Sequence, residues 1–371
     1  MSYAQARLRL GIAAVGTIVV LSAVLFVYQL PSTIFPFYGG PWYADWAALI
    51  VFYLGYALVS MPFDLAGGYW LPCRHNRICL PLPVFLWKWV RGVAVQGCFM
   101  TLAGLAILES AKLAGYWGAV AAVAIIQFLL LLFQTRIALL VGGLAPSSSA
   151  DAQKSGALAL DSLDPGFSGG FAGLPGLERL ILPGHWLRAL SPEALDVELK
   201  RRAGLLATGT RLRGVLLASA WNLAGFMLCG ALPWVDLATI FGLLEAVLGC
   251  ALWSFLGLLI LPSLSRPGVL EADRWAIDHG ATHSSLLLAM TEIDRFQEDE
   301  PSRSRWIERI FHPIPSIENR LKALESPRRP TGAWQAARMA LYLSWANFGL
   351  LSRAVHCNSG RPDLWVIPPG D

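Results

Sequence analysis

The sequence predicts a mostly α-helical protein: a polytopic membrane helix bundle of about six spans with a small cytosolic α+β domain built from two separated segments. Three observations lead to this fold class. Hydrophobic residues make up 55% of the 371 residues and charged residues only 15%, whereas soluble domains carry about 25% charged residues. Apolar runs long enough to cross a membrane recur along the chain. The polar stretches between them alternate between basic and non-basic loops.

Six stretches are long and apolar enough to cross a hydrocarbon core of about 30 Å, which needs roughly 20 helical residues. They lie at about 11–30, 45–64, 90–108, 116–141, 214–233 and 237–261. The first is too long for a signal peptide, and no small-residue cleavage site follows it. A further apolar stretch, 334–351, contains Gln335, Arg338 and Asn347. We expect a docked or interfacial amphipathic helix there rather than another span.

Basic residues orient the predicted bundle. Arg7 and Arg9 precede the first span, whereas the loop at 31–45 has no lysine or arginine. The positive-inside rule therefore predicts a cytosolic N-terminus, and both long polar segments then face the cytosol. The expected location is a bacterial inner membrane. The predicted regions are N-terminal membrane helices at 1–143, two halves of one cytosolic domain at 144–213 and 263–330, a transmembrane hairpin at 214–262, and an amphipathic C-terminal helix and tail at 331–371.

The loop after the second span contains two cysteines. Cys73 and Cys79 flank a short polar stretch that includes His75. A cytosolic location disfavours a disulfide, and one cysteine pair with one histidine is a weak zinc signal. We therefore expect neither a disulfide nor a metal site in this loop.

The two polar segments contain recognisable local signals. The sequence LERLILP predicts a short strand. Ser191, Pro192 and Glu193 open a helix that continues through ELKRRAGLLATG, because serine caps a helix, proline suits its first position and an acid suits its first turn. The second segment predicts helices at about 268–279, 282–297 and 316–325.

These pieces follow one another as a strand, a helix opened by LSPE, a hairpin of spans, the sequence EADRWA and a closing HP-x-x-S-x-x-x-R. This order resembles the integral-membrane zinc metallopeptidases of the CAAX prenyl protease and heat-shock membrane protease type. The resemblance covers about 158–325, and SMPFDLAGGYWLP after the second span is similar to the CAAX branch. It implies a metallopeptidase-like cytosolic domain with a gluzincin-like zinc site.

The zinc motif of that family is not matched here. In the family, two histidines four residues apart bind zinc, and a glutamate between them activates water. The corresponding positions are Arg201, Arg202 and Leu205, and Val269 stands at the third ligand position, four residues before Asp273. Arginine is not deprotonated in proteins, so it supplies neither a ligand nor a base. The resemblance therefore predicts a scaffold without catalytic residues and without a cofactor.

An alternative keeps an active metalloendopeptidase with a displaced zinc site. Its candidate ligands are Glu271, His279 and His283. His279 and His283 are four residues apart, but Gly280 predicts a helix end between them, with His283 capping the next helix. The remnants of the family motifs are Glu271, Asp273, His312 and Arg320, of which we interpret the last two as structural.

The sequence favours a catalytically inactive pseudopeptidase that acts as a binding, scaffold or regulatory protein. Its expected partners are the lipid bilayer and either a membrane protein or a lipidated or apolar chain. A net charge of +4 without arginine-aromatic interleaving excludes nucleic acid as a partner. Two polar residues within the spans, Asn222 and Glu245, either face a cavity or form interhelical hydrogen bonds, and we favour the latter.

Basic residues also gather along the helix that replaces the family's zinc helix. They are Lys200, Arg201, Arg202, Arg211 and Arg213. One hypothesis is that they bind anionic headgroups. For Arg211 and Arg213 the sequence favours ordinary positive-inside anchoring. For Arg201 and Arg202 the alternative is an internal ion pair, with Asp273 as one candidate partner.

Overall fold

A computed structural model describes residues 1–34, 43–77, 79–147, 156–297, 300–327 and 329–367. The chain divides into two compact units. Unit 1 comprises Met1–Gly142, Ser219–Leu256 and Leu341–Val366. Unit 2 comprises Gly143–Ala218, Gly257–Ala340 and Ile367–Asp371.

The described elements are mostly helical. The helices are α1 (Tyr3–Val27), α2 (Pro31–Ile34), α3 (Tyr43–Leu65), α4 (Leu71–Arg74), α5 (Leu82–Leu132), α6 (Gln134–Gly142), α7 (Gly184–Ala189), α8 (Pro192–Ala207), α9 (Thr210–Gly230), α10 (Ile240–Asp278), α11 (His283–Phe296), α12 (Arg305–Phe311), α13 (Ile317–Glu325) and α14 (Ala336–Leu343). A π-helical turn lies at Ala66–Trp70, and 3-10 turns lie at Ser344–Asn347 and Pro362–Leu364. The strands are β1 (Ala145–Pro146), β2 (Leu158–Asp161), β3 (Gly170–Ala172) and β4 (Arg179–Pro183).

Within the part of the chain that the structure describes, five helices are long and apolar enough to cross a membrane. They are Tyr3–Val27, Tyr43–Arg74, Leu82–Leu132, Thr210–Gly230 and Ile240–Asp278. The predicted membrane helix bundle is confirmed, and the five long helices include the six predicted stretches. The predicted spans 90–108 and 116–141 share one helical run, α5, which is interrupted where Ala114 and Gly115 leave helical geometry. Gly115 has φ +64°, which glycine adopts without steric cost.

The helix predicted separately at 268–279 is the end of α10. This helix continues to Asp278 through Pro262 and Pro267, although each interior proline removes one backbone hydrogen bond. The positions of Val269 and Asp273 are therefore fixed on one long, continuous helix.

Unit 2 contains a four-stranded sheet with the order β1-β2-β4-β3. The strand predicted for LERLILP is β4, which pairs in parallel with β2 and antiparallel with β3. Beside the sheet, α7, α8, α10, α11 and α13 share an apolar core that includes Trp186, Val197, Ala276 and Met290. The predicted opening of α8 is confirmed, since Ser191 Oγ accepts from the Ala194 backbone N–H at 3.3 Å.

The helix predicted over 334–351 is shorter than expected. It comprises α14 and one 3-10 turn, and Phe348 ends that turn in the left-handed conformation at φ +58°. The chain beyond it has little regular structure, yet residues 341–366 belong to unit 1 and all of them except Arg361 are buried.

The loop after the second span differs from its prediction. A disulfide joins Cys73 to Cys79, whose Cα atoms lie 4.8 Å apart, within the usual range for such bonds. The chain reverses direction just after α4, with Asn76 at φ +53°. This local turn brings the two cysteines together, and the expectation of no disulfide was wrong.

Candidate functional site

Two helices of unit 2 bring the zinc-motif positions together. Helix α8 carries Arg201, Arg202 and Leu205, and α10 carries Val269 and Asp273. Arg201 Nε donates to Asp273 Oδ1 at 2.7 Å. The internal ion pair considered from the sequence is therefore present.

Apolar side chains of the core occupy the other two motif positions, Leu205 and Val269. Leu205 and Val269 belong to one apolar cluster, together with Phe171, Ala272 and Trp334. Leu205 is 2% exposed and Val269 is 1% exposed. Neither side chain has an atom that binds a metal ion. The places where the resembling family has a histidine and a glutamate ligand are thus part of the core.

Five charged side chains form a buried ion cluster at the remaining positions. Its members are Glu198, Arg201, Arg202, Asp273 and Arg320, and all are buried. Glu198 accepts from Arg201 Nη1 and from Arg202 Nε, each at 2.5 Å. Arg320 reaches both oxygens of Asp273, with Nε at 2.8 Å from Oδ2 and Nη2 at 2.7 Å from Oδ1. The cluster thus links α8, α10 and α13.

The ion cluster does not fit a zinc ion of the family's type. Each carboxylate oxygen of Glu198 and Asp273 already accepts a hydrogen bond from a guanidinium. Three guanidiniums bind these two carboxylates. A zinc ligand must offer a free lone pair from imidazole, thiolate or carboxylate. Each carboxylate oxygen of the cluster is instead engaged by a guanidinium, and the positive charges of the three guanidiniums oppose the approach of a divalent cation.

Two buried arginines, Arg202 and Arg211, also donate to backbone carbonyl groups beside the sheet. Arg202 Nη2 donates to the Ser168 carbonyl oxygen at 3.1 Å, and its guanidinium lies 5.7 Å from the centre of the Trp186 ring. Arg211 Nη2 donates to the Gly173 carbonyl oxygen at 2.8 Å and is itself 1% exposed. Buried guanidiniums do not bind headgroups, so the headgroup hypothesis is wrong for Arg201, Arg202 and Arg211.

The other two basic residues of that group form more exposed ion pairs. Lys200 pairs with Asp196 at 2.9 Å. Arg213 Nη2 donates to both oxygens of Glu271, at 2.9 and 2.8 Å, and one of these oxygens also accepts from the Gly332 N–H at 3.1 Å. Positive-inside anchoring of Arg213 stays a prediction, and the structure adds that its charge pairs with Glu271.

The displaced-site alternative has no geometry to support it. Glu271 is bound to Arg213, as described above. His279 is exposed and stacks on Trp275 with ring centres 3.7 Å apart. His283 is the first residue of α11 and is exposed, while Thr282 is the cap, which corrects the prediction that His283 caps this helix. Among the described residues, no three His, Cys, Asp or Glu side chains come together as a metal-binding group.

The closing HP-x-x-S-x-x-x-R element makes structural contacts. Buried His312 caps the C-terminal end of α12, and Arg320 binds Asp273. Arg266 Nη1 donates to the carbonyl oxygens of Glu308 and Arg309, each at 2.8 Å. These contacts tie α12 and α13 to the end of α10.

The two polar residues noted within the spans lie in unit 1. Asn222 is 2% exposed and Glu245 is 4% exposed. Both oxygens of Glu245 are buried and accept no hydrogen bond from any group that the structure describes. The interhelical hydrogen bond favoured for Glu245 is therefore absent. Next to Asn222, Trp253 Nε1 donates to the Trp221 carbonyl oxygen at 2.9 Å, and the two rings stack.

Sequence reasoning missed Glu198, the residue that holds the two arginines. Its signal was present, because Glu198 precedes Arg201 by three positions and Arg202 by four. Side chains at these spacings lie on one face of a helix and pair readily.

No family profile and no curated protein matches this sequence. Among solved structures, the crystal structure of Ste24p from S. mikatae is similar, with a TM-score of 0.65 and 15% identity, and the match covers 81% of this chain and 82% of that chain. A likeness at this identity is one of fold. The chain is an integral membrane protein with the Ste24p-like membrane protease fold.

Proposed function

We propose that this protein is a pseudopeptidase: a membrane protein with the metallopeptidase-like fold that binds a partner and does not cut it. The buried ion cluster carries the proposal. At the positions where the resembling family has its first zinc ligand and its general base, this chain has Arg201 and Arg202, which are held by Glu198 and Asp273.

The loss involves more than one ligand. Zinc binding at this place would require the removal of two buried guanidiniums and the release of carboxylates from ion pairs. Breaking one buried ion pair costs about 3–5 kcal/mol. Leu205 and Val269 would also have to leave the apolar core. The site is therefore built for packing and charge compensation, and it supplies no group to activate water.

Metal content tests the proposal most directly. The protein is purified in mild detergent without chelator and without a histidine tag, and its zinc is measured by plasma mass spectrometry beside a Ste24p sample treated identically. We expect background zinc and no cleavage of prenylated or unfolded membrane peptides. Near-stoichiometric zinc that is lost in Glu271→Gln or His279→Ala would instead establish the displaced site.

We propose that the partner is a membrane protein or a lipidated or apolar chain, bound by unit 1. A cavity of about 350 Å³ supports this, since nearly all of its lining is apolar. Its lining includes Ile18, Phe52, Val59, Leu248 and Leu350. An acyl or prenyl chain has the chemistry that such a pocket accepts.

One glycine offers a clean test of the cavity. Gly55 lines it, and a Cβ at this residue would meet no atom within 4 Å. Gly55→Leu should therefore fill the cavity and weaken binding of a fluorescent farnesylated peptide about tenfold or more. Gly16 has equal open space but does not line the cavity, so Gly16→Leu is the matched control. Equal binding by both variants would refute the assignment.

We propose that unit 2 faces the cytosol, as the basic loops predict. The Cys73–Cys79 disulfide is the observation against this orientation, because disulfides persist in oxidising compartments. We give the basic loops more weight, since several arginines contribute to them. Intact cells are reduced and treated with a membrane-impermeant maleimide. Labelling of Cys73 and Cys79 from outside would reverse the orientation.

A further inference from the structure

The last part of unit 1 is a segment that is buried although it is largely irregular. We call residues 341–366 the C-terminal segment. Every residue in it except Arg361 is buried, and its regular structure is the end of α14 and two 3-10 turns. Local turns pair part of this backbone within the segment, for example the Asn358 N–H with the Val355 carbonyl oxygen at 2.9 Å. The remaining buried N–H and C=O groups need partners from elsewhere.

Polar side chains on the membrane helices provide these partners. Arg7 on α1 is fully buried, and its Nε donates to the carbonyl oxygen of His356 at 2.9 Å. Its Nη2 also donates to the carbonyl oxygens of His356 and Ser359. Gln134 Nε2 on α6 donates to the carbonyl oxygen of Val366 at 2.9 Å. These contacts recognise the backbone of the segment and are independent of its side chains.

Gly360 of the segment packs closely against Asp64 at the end of α3. The Gly360 N–H donates to Asp64 Oδ1 at 2.8 Å. Gly360 has φ +69°, and a Cβ there would lie 2.0 Å from the Asp64 carbonyl oxygen. The other carboxylate oxygen of Asp64 accepts from Trp89 Nε1 at 3.0 Å. The end of α3 therefore accepts only glycine at this point of the segment.

One acid in the segment is recognised by charge. Lys88 Nζ on α5 lies 2.6 Å from Asp363 Oδ2, and their side chains are 8% and 1% exposed. On the same helix, Gln96 Nε2 donates to Ser352 Oγ at 3.1 Å. Polar side chains in membrane helices are costly and are usually retained for a function. Here they converge on one peptide segment.

We propose that unit 1 is a peptide-binding site and that the C-terminal segment is its ligand in cis. The ligand class is a turn-forming polypeptide with glycine and aspartate in the order Gly-x-x-Asp, recognised through its backbone and through that aspartate. A segment of another chain with this pattern takes the same place when the C-terminal segment leaves. This inference concerns unit 1 and does not depend on the loss of the zinc motif.

Two native cysteines make the proposal testable in the full-length protein. Cys357 lies in the segment, Cys250 lies on α10 in the same unit, and both are buried free thiols. Maleimide labelling of each thiol is followed by mass spectrometry in detergent. Lys88→Met removes the ammonium that binds buried Asp363 Oδ2, so we expect labelling of Cys357 to accelerate about 100-fold or more. Labelling of Cys250 should stay slow.

Lys112→Met is the matched control. Lys112 lies on the same helix and pairs with Asp45 and Glu109, but its side chain is 38% exposed. Its loss should leave both thiols protected. Gly360→Ala provides a second route that changes only the segment, in case Lys88→Met does not fold. Parallel acceleration at Cys250 and Cys357 in both variants, or protection of Cys357 in both, would refute the proposal.

Binding in trans completes the test. A fluorescent peptide of residues 341–367, with serine in place of Cys357, is added to the Gly360→Ala protein. Because the site is then less occupied in cis, we expect affinity at least about tenfold higher than for the wild-type protein. The same peptide with lysine in place of Asp363 should not bind. Equal affinity of the two peptides, or of the two proteins, would show that the segment is core and not a ligand.

Discussion

The two units of this protein bury charged side chains in different ways. In unit 2, the ion cluster pairs side chains that lie on regular helices, and Arg202 also donates to the Ser168 carbonyl oxygen. In unit 1, Arg7 and Asp64 are directed at the irregular backbone of the C-terminal segment. Buried charge thus locks helices together in unit 2 and holds a peptide segment in unit 1.

This difference determines what a substitution should do. In unit 2, loss of one charge removes part of the charge compensation of its buried partners. The free energy of unfolding of the whole unit should therefore fall. In unit 1, loss of one contact should first release the segment. The following predictions test this contrast, from the largest expected effect to the smallest.

The largest effect should come from Asp273→Asn. Asp273 is shared by Arg201 and Arg320, so its neutralisation removes the carboxylate that binds Arg320 and one of the two carboxylates that bind Arg201. We expect a loss of about 3–5 kcal/mol in the free energy of unfolding, measured by thermal or chemical denaturation in detergent. Asp278→Asn on the same helix removes an exposed pair with Arg329 and should change stability by about 0–1 kcal/mol. Similar losses in the free energy of unfolding of the two variants would show that the ion cluster does not stabilise unit 2 more than an exposed ion pair does.

The next effect should have the opposite sign. Glu245 is buried in unit 1, and its carboxylate accepts no hydrogen bond from any described group. Glu245→Leu should therefore stabilise the protein by about 1–3 kcal/mol, because an unpaired buried polar group is removed. Glu109→Leu, at a side chain that is 58% exposed, is the control and should not stabilise. A destabilised Glu245→Leu protein would mean that this acid has a binding role in unit 1.

A smaller effect is expected at the rim of unit 2. Arg213 pairs with Glu271, but their side chains are 39% and 16% exposed. Arg213→Met should cost about 1 kcal/mol or less in the free energy of unfolding, because solvent screens the pair. A loss as large as that of Asp273→Asn would mean that the Arg213–Glu271 pair stabilises unit 2 as strongly as the buried ion cluster does. Zinc content measured on the same sample should not change.

The smallest effect should be a dependence on pH. Burial against Phe296, whose ring centre lies 5.1 Å away, and then the charge of Arg188 lower the pKa of His185. The unfolded chain therefore binds a proton more readily than the folded chain. This contribution to stability is present above pH about 6.5 and is lost as the pH falls below it. His185→Gln should flatten the decline in stability between neutral and mildly acidic pH. Identical slopes for both proteins would contradict the assignment.

The sequence alone determined the features that depend on composition and on near neighbours. Apolar runs fixed the membrane class, LSPE opened α8, and LERLILP formed β4. The replacement of the zinc motif by Arg201 and Arg202 is a fact of the sequence, and charge chemistry alone suggested Asp273 as a partner. These inferences succeeded because each rests on residues within a few helical turns or on complementary charge.

Only the tertiary structure decided where the polar groups of the membrane helices point. Lys88 and Asp363 are 275 positions apart, so no local pattern relates them. The stretch at 334–351 was predicted as one amphipathic helix, because period and composition describe its faces but not its surroundings. The helical geometry ends at Phe348, which adopts φ +58°, and the Gly349 N–H then pairs with the Ser344 carbonyl oxygen at 2.8 Å. Burial forces backbone groups to pair, and the available partners are set by the fold.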